Sequence, residues 1–272
     1  MRTARAIAGL LCGLVICFAG SQAAANPASV RVAAIQYRAV PYDKPANIRA
    51  LSRLIAEAAR HDARIVVLPE MCVTGLNIAD ARQAAGLAET VPGPSTDAFA
   101  RLAKRYKLYL IFGMPEADAR TQRYFNSQVV IGPGGNIAGK YRKTHLYGSD
   151  ENWASPGDLG YQTVDTEWGR IGLAICFDIN FPDVLDFLAR SRVDLFAFST
   201  NWIADRPPFE LWMRMQRRSH AFFVAANNWG SDGFRFSGGS LIVSRDSRVL
   251  AKSGDSGDAI VYAWFDPGKA GE

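Results

Sequence analysis

The chain has 272 residues, 49% of them hydrophobic and 21% charged, with a formal net charge of +5. This is enough apolar material for one large core, and it argues against a disordered or low-complexity chain. The positive excess is mild and no Lys/Arg cluster is interleaved with aromatics, so no nucleic-acid partner is expected.

Arg2 and Arg5 precede an apolar stretch from Ala6 to Gly20, and Ala23 and Ala25 then offer a small-residue cleavage site. This pattern predicts a secretory signal peptide over residues 1–25, with export to a bacterial periplasm. The apolar stretch is short for a membrane anchor, which needs roughly 20 residues, so no stable membrane span is expected after cleavage. Residues 26–272 are expected to form a single domain. Loss of the leader removes Cys12 and Cys17 and leaves Cys72 and Cys176, both expected as free thiols.

In chain order, Val30 to Gln36 predicts a first strand. Ile48, Leu51, Ile55 and Ala58 recur at helical spacing and predict a helix from Asn47 to Arg60. Ala63 to Leu68 is a short β-branched run, a buried strand. Pro94-Ser95 opens a second helix with Phe99, Leu102, Ala103 and Tyr106 on one face, and Lys107 to Met114 follows as a strand. Gln128 to Ile131 and Asn136 to Tyr141 form a hairpin-like pair around Gly134-Gly135. Arg170 to Cys176 is a strand, and Pro182 suits the first turn of a helix reaching about Arg190. A strand from Val193 to Ser199, a helix from Phe209 to Ser219 and a strand from Phe222 to Ala226 come next. Gly239 to Val243 and Ala259 to Phe265 close the chain. Strands alternate with helices, which favours a layered α/β architecture.

Three residues suited to thiol chemistry stand at the ends of strand-like runs: Glu70 after Ile-Val-Val-Leu-Pro, Lys143 after Gly139-Lys-Tyr-Arg, and Cys176 after Ile-Gly-Leu-Ala-Ile. Taken alone, a buried Cys is usually an inert hydrophobe and Lys143 an ordinary solvated edge residue. Taken together, a thiol, a base to deprotonate it and a cation to favour thiolate and hold an oxyanion make an active-site proposal. The only histidines are His61, His145 and His220, and His145, two residues from Lys143, is a candidate support. No Cys or His pair has zinc-ligand spacing, and phosphate-loop and dinucleotide fingerprints are missing, so no metal and no cofactor is expected.

The segments Leu68-Pro-Glu70, Tyr141-Arg-Lys-Thr-His-Leu146 and Ile175-Cys-Phe-Asp178 resemble the three signatures of the nitrilase, or carbon–nitrogen hydrolase, superfamily. Tyr124-Phe-Asn126, Val129 to Gly135, Phe181-Pro182 and Phe236 to Ser240 extend the resemblance over about Val30 to Phe265. It implies a four-layer α-β-β-α sandwich, a Glu70–Lys143–Cys176 triad, and a second glutamate that matches Glu151. It also implies a homodimer, by analogy alone. In such a site the backbone N–H of Phe177 would join Lys143 at the oxyanion, and Tyr147, Trp153, Asn201, Trp202 and Asn227 are candidate pocket residues. The implied substrate is a small amide, with a nitrile as the alternative. Asn180 after the cysteine is similar to the aliphatic-amidase branch, while Cys176 to Ile179 and Ser199 to Trp202 resemble the secreted biotinidase and pantetheinase branch.

Overall fold

The computed structural model describes residues 29–267. The expected leader, with Cys12 and Cys17, lies outside the described residues. In chain order the strands are β1 (Val30–Gln36), β2 (Ala63–Val67), β3 (Tyr109–Asp118), β4 (Arg123–Ile131), β5 (Ile137–Arg142), β6 (Thr163–Thr166) and β7 (Gly169–Ile175). They continue with β8 (Leu195–Thr200), β9 (Phe222–Asn227), β10 (Trp229–Ser231), β11 (Arg235–Ser237), β12 (Leu241–Val243), β13 (Val249–Lys252) and β14 (Ala259–Phe265). The helices are α1 (Lys44–Arg60), α2 (Ala81–Leu87), α3 (Pro94–Tyr106), α4 (Pro182–Arg190) and α5 (Phe209–Ser219).

Two six-stranded sheets form, in the orders β14-β1-β2-β3-β4-β5 and β13-β12-β9-β8-β7-β6. β1, β2 and β3 run parallel in the first, and β7, β8 and β9 in the second. The period of two along each strand sorts the side chains into layers. From the first sheet, Val32, Ala34, Ile65, Val67 and Ile111 face inward. They pack against Leu173, Ile175, Ala197, Val224 and Ala226 of the second, forming the central core. The alternate residues Ala33, Ile35, Val66, Leu110 and Phe112 face outward, where Leu51, Ile55 and Ala58 of α1 and Phe99 and Ala103 of α3 cover them. On the other side Phe196, Phe198 and Phe223 pack under Val184, Leu185 and Leu188 of α4 and Trp212 of α5. Each large apolar side chain buried in this way contributes about 1.5–3 kcal/mol. The result is the α-β-β-α sandwich.

Local sequence explains the helix starts. Asp43 caps α1 by accepting from the Ala46 N–H at 2.9 Å, and Asp80 caps α2 through Gln83 N–H at 2.8 Å. Prolines open α3 and α4. Helix α2 and strands β6, β10, β11 and β13 lie outside the sequence-based expectations, because each is too short to show a period. Among the described residues, no helix is long and apolar enough to cross a membrane.

Candidate active site

Parallel strands end together, and so do the residues that follow them. Glu70 comes three residues after β2, Lys143 directly after β5, Cys176 directly after β7, and Asn201 directly after β8. All four line one cavity of about 140 Å³ at the carboxyl ends of the strands. In open α/β sheets this is the edge where ligands bind.

Lys143 is held by its neighbours. Tyr141 reaches across to the second sheet, where its hydroxyl donates to Asp178 Oδ2 at 2.9 Å. Arg142 turns the opposite way and donates to Glu116 Oε1 at 2.6 Å and Asp158 Oδ1 at 2.7 Å. The strand pinned on both sides delivers Lys143 into a site where its side chain is 2% exposed. There Nζ donates to Glu70 Oε1 at 2.8 Å and to Asp150 Oδ2 at 2.6 Å.

Glu70 is saturated with donors. Its Oε1 also accepts from Asn126 Nδ2 at 2.8 Å, and its Oε2 accepts from the Asn201 backbone N–H at 2.9 Å. The Asn201 side chain donates to the Glu70 backbone carbonyl at 2.9 Å. Gly113 on β3 makes this approach possible: a Cβ there would stand 2.5 Å from Glu70 Cα and 2.5 Å from Met71 N.

Cys176 takes a left-handed φ of 43° at the step from β7 into a 3₁₀ turn over Cys176–Asn180. Non-glycine residues avoid this region, at a cost of order 1–3 kcal/mol, and such strain gathers at functional sites. Asp178 holds the turn in place. Its carboxylate accepts from the Ile175 N–H at 3.0 Å and from the His145 N–H at 3.0 Å, as well as from Tyr141. His145 stacks on Phe181, with ring centroids 3.6 Å apart. His145 therefore supports the turn and does not line the cavity. Phe177, which follows the cysteine, lines the cavity and sits in the first turn, where backbone N–H groups have no partner inside the turn.

The electrostatics follow from burial. Burial raises the Glu70 pKa, and the charge of Asp150 adds to it, against the opposing charge of Lys143. Burial alone would lower the Lys143 pKa, but the charges of Asp150 and Glu70 outweigh it and hold the ammonium well above its ordinary value. Burial, then the charge of Glu70, raises the Cys176 thiol, while Lys143, the Thr200 hydroxyl and the Asn201 N–H pull towards thiolate. The Thr200 hydroxyl is buried and is engaged by no other group, so its proton is left for the Cys176 sulfur. The resting site thus pairs a neutral thiol with a carboxylate of raised proton affinity beside a permanent cation.

The structure brings Glu70, Lys143, Cys176, Phe177, Tyr147, Asn201 and Trp202 around one cavity. It corrects three expectations. Glu151 is exposed and makes no contact with Lys143; the preceding residue, Asp150, is fully buried and does. The 3₁₀ turn over Gly148–Asn152 points successive side chains in different directions, so only one of the two carboxylates can face inward. Trp153 is buried in a satellite cluster with Met71, Leu76 and Phe236. Asn227 stands behind the site. Its Oδ1 accepts from Trp202 N–H at 2.9 Å, and its Nδ2 donates to Gly238 O at 2.6 Å. Asp150, Asn126, Thr200, Leu76 and Ile203 were missed as site residues. Asn126 and Thr200 carried a signal, within the Tyr124-Phe-Asn126 and Ser199 to Trp202 matches.

The two remaining cysteines are free. Cys72 is packed behind the first sheet, where burial pushes its pKa up to about 12. Among the described residues no group of His, Cys, Asp and Glu is arranged to hold a metal ion.

A thiol, a carboxylate and an ammonium thus meet at the strand ends of a four-layer sandwich. The carbon-nitrogen hydrolase family model matches residues 31–272, and the chain belongs to that family. It is 32% identical over 239 residues to a nitrilase of Pyrococcus abyssi, covering 87% of this chain and 90% of that one. It is 32% identical to the omega-amidase NIT2 of Homo sapiens, covering 90% and 91% respectively. Among solved structures it is similar to Saccharomyces cerevisiae Nit3, a member of branch 10 of the nitrilase superfamily. There the TM-score is 0.79 at 25% identity, covering 88% of this chain and 90% of that one. An amidase from Nesterenkonia sp. shares the fold with a TM-score of 0.77 at 20% identity, over 88% and 90%. The chain is an enzyme, a carbon–nitrogen hydrolase of the amidase and nitrilase type.

Proposed function

We propose that this enzyme is an amidase that works through a Cys176 thioester. The observation that carries the reading is the buried contact of Lys143 with both Glu70 and Asp150 at the wall of the cavity that Cys176 enters. Glu70 takes the Cys176 proton as sulfur attacks the amide carbon and the C–S bond forms. Lys143 and the Phe177 N–H hold the oxyanion, a donor pair of the kind whose loss of one member costs about 10²–10³ in rate. Glu70 returns the proton to nitrogen, the C–N bond breaks and ammonia leaves. A water then gives its proton to Glu70 and attacks the thioester, the C–S bond breaks, and the thiol is restored. Asp150 holds Lys143 in register and balances its charge.

The test is mass spectrometry of the enzyme mixed with a short amide, alongside ammonia release. A Cys176 acyl adduct that forms in the wild-type protein and is absent from both Cys176→Ala and Glu70→Gln supports the reading. Ammonia release undiminished in Cys176→Ala would sink it. The similarity to a protein named nitrilase makes nitriles the necessary comparison substrates. The proposal includes export with cleavage near Ala25, checked by N-terminal sequencing of periplasmic protein. It also includes a homodimer, checked by light scattering.

A further inference from the structure

The cavity differs in character from its charged walls. Glu70 and Lys143 are the two ionised side chains that line it, and they satisfy each other, with Asp150 as the second anion on Lys143. What faces the remaining space is apolar or neutral: Leu76, Phe177, Trp202 and Ile203, with Tyr147 at the mouth. The unspent polar capacity is also neutral: the Phe177 N–H, which the proposed reaction gives to the oxyanion, and two amide oxygens. Asn201 Oδ1 is buried with no hydrogen-bond partner, although its residue is 1% exposed. Asn180 spends its Nδ2 on the Phe177 carbonyl at 3.0 Å, which leaves its Oδ1. Arg142, next to Lys143 in sequence, is spent on Glu116 and Asp158 and does not line the cavity. Two further cations stand near Ile203, Arg206 in its loop and Arg235 beside its bridge partner Phe236. Both are exposed, Arg235 pairs with Asp205 at 3.5 Å, and neither lines the cavity.

We infer that this cavity selects short, uncharged primary amides and rejects amides whose far end carries a carboxylate. The inference rests on the amidase reading and names the substrate class within it. An NH₂ group can donate to the orphaned Asn201 oxygen, which gives a buried unsatisfied acceptor its partner. A carboxylate at the far end would meet amide oxygens, aromatic walls and the Glu70 carboxylate, with no unpaired cation among the residues that line the cavity. Burying such a charge without a partner costs several kcal/mol. Size agrees: the 140 Å³ cavity matches the roughly 150 Å³ that takes one benzene ring.

The experiment compares an isosteric pair, 4-methylpentanamide and succinamate, with the wild-type protein at neutral pH. Ammonia release should give a kcat/KM for succinamate lower by at least ~50-fold, as an unpaired buried carboxylate requires. A smaller penalty, or a preference for succinamate, overturns the inference. In parallel, 4-methylpentanamide should raise the Tm of the Cys176→Ala protein and succinamate should not; the reverse order also overturns it. The two readings separate cleanly. Selective binding to Cys176→Ala with no ammonia from any amide sinks the amidase reading and keeps the neutral cavity. Equal turnover of both compounds keeps the amidase and sinks the cavity's selectivity.

Discussion

Asp150→Asn, set against Glu151→Gln, tests the proposed roles around Lys143 most sharply. Asp150 accepts from Lys143 Nζ at 2.6 Å inside a fully buried cluster, whereas its neighbour Glu151 is exposed. The amide keeps the shape and an acceptor oxygen but removes the charge. A hydrogen bond to a charged group is worth about 1.5–3 kcal/mol, and about 1.4 kcal/mol is a factor of ten, so ten- to hundredfold follows from the lost pairing. A second effect adds to it. The charge of Asp150 helps to raise the Glu70 pKa, so its removal leaves Glu70 a weaker base. We expect kcat/KM for amide hydrolysis to fall by about 10²-fold in Asp150→Asn, within the range for one positioned charged group. The acid limb of the pH profile should also move to lower pH, because one fewer negative charge lowers the Glu70 pKa. Glu151→Gln should stay within about twofold of wild type, as surface substitutions do. Steady-state ammonia release from pH 4 to 9, with Tm measured on the same preparations, reads all of this. Loss of activity in Glu151→Gln with a normal Asp150→Asn would refute the reasoning.

Wild-type kcat/KM should fall with an acid limb above the ordinary glutamate value of 4.5, since burial first and the Asp150 charge second raise the Glu70 pKa; a limb at or below 4.5 contradicts this. Stability carries the opposite sign at Glu116. Bonds from Arg142, Lys140 and Ser127 outweigh its burial and lower its pKa. It therefore contributes stability above about pH 4.5 that is lost as pH falls through the depressed folded value. Glu116→Gln should flatten the dependence of Tm on pH below 4.5, and an unchanged slope would count against it. Gly113→Ala puts a Cβ 2.5 Å from the Glu70 backbone, so it should cost about 1–3 kcal/mol by denaturant titration and depress kcat as well; full activity would show that this approach does not set Glu70. Iodoacetamide should label one cysteine in the native protein and none in Cys176→Ala, because Cys176 lines the cavity beside Glu70 while Cys72 is packed behind the first sheet. Labelling that persists in Cys176→Ala would place the reactive thiol elsewhere.

The layers are already written in the periodicity of the chain. Period-two strands alternating with period-3.6 helices leave few ways to bury their faces, and the expected positions of β1, α1, α3, α4, α5 and β14 agree with the structure to within a few residues. Glu70, Lys143 and Cys176 were legible because each ends a strand-like run, apolar before Glu70 and Cys176 and the second arm of a hairpin before Lys143. Only tertiary structure decided what surrounds them. The choice between Asp150 and Glu151 depends on the direction of a single 3₁₀ turn, and neighbouring carboxylates look alike until that turn is closed. Leu76 and Ile203 come from loops without periodicity. Asn227, read from sequence as a lining residue, instead holds up the loop at Trp202. The charges in the cavity are paired across about 70 residues of chain, as in Glu70 with Lys143. Strand ends are local facts set by hydrophobic pattern; partners, burial and the resulting proton affinities are distances in space, which exist only once both sheets have packed.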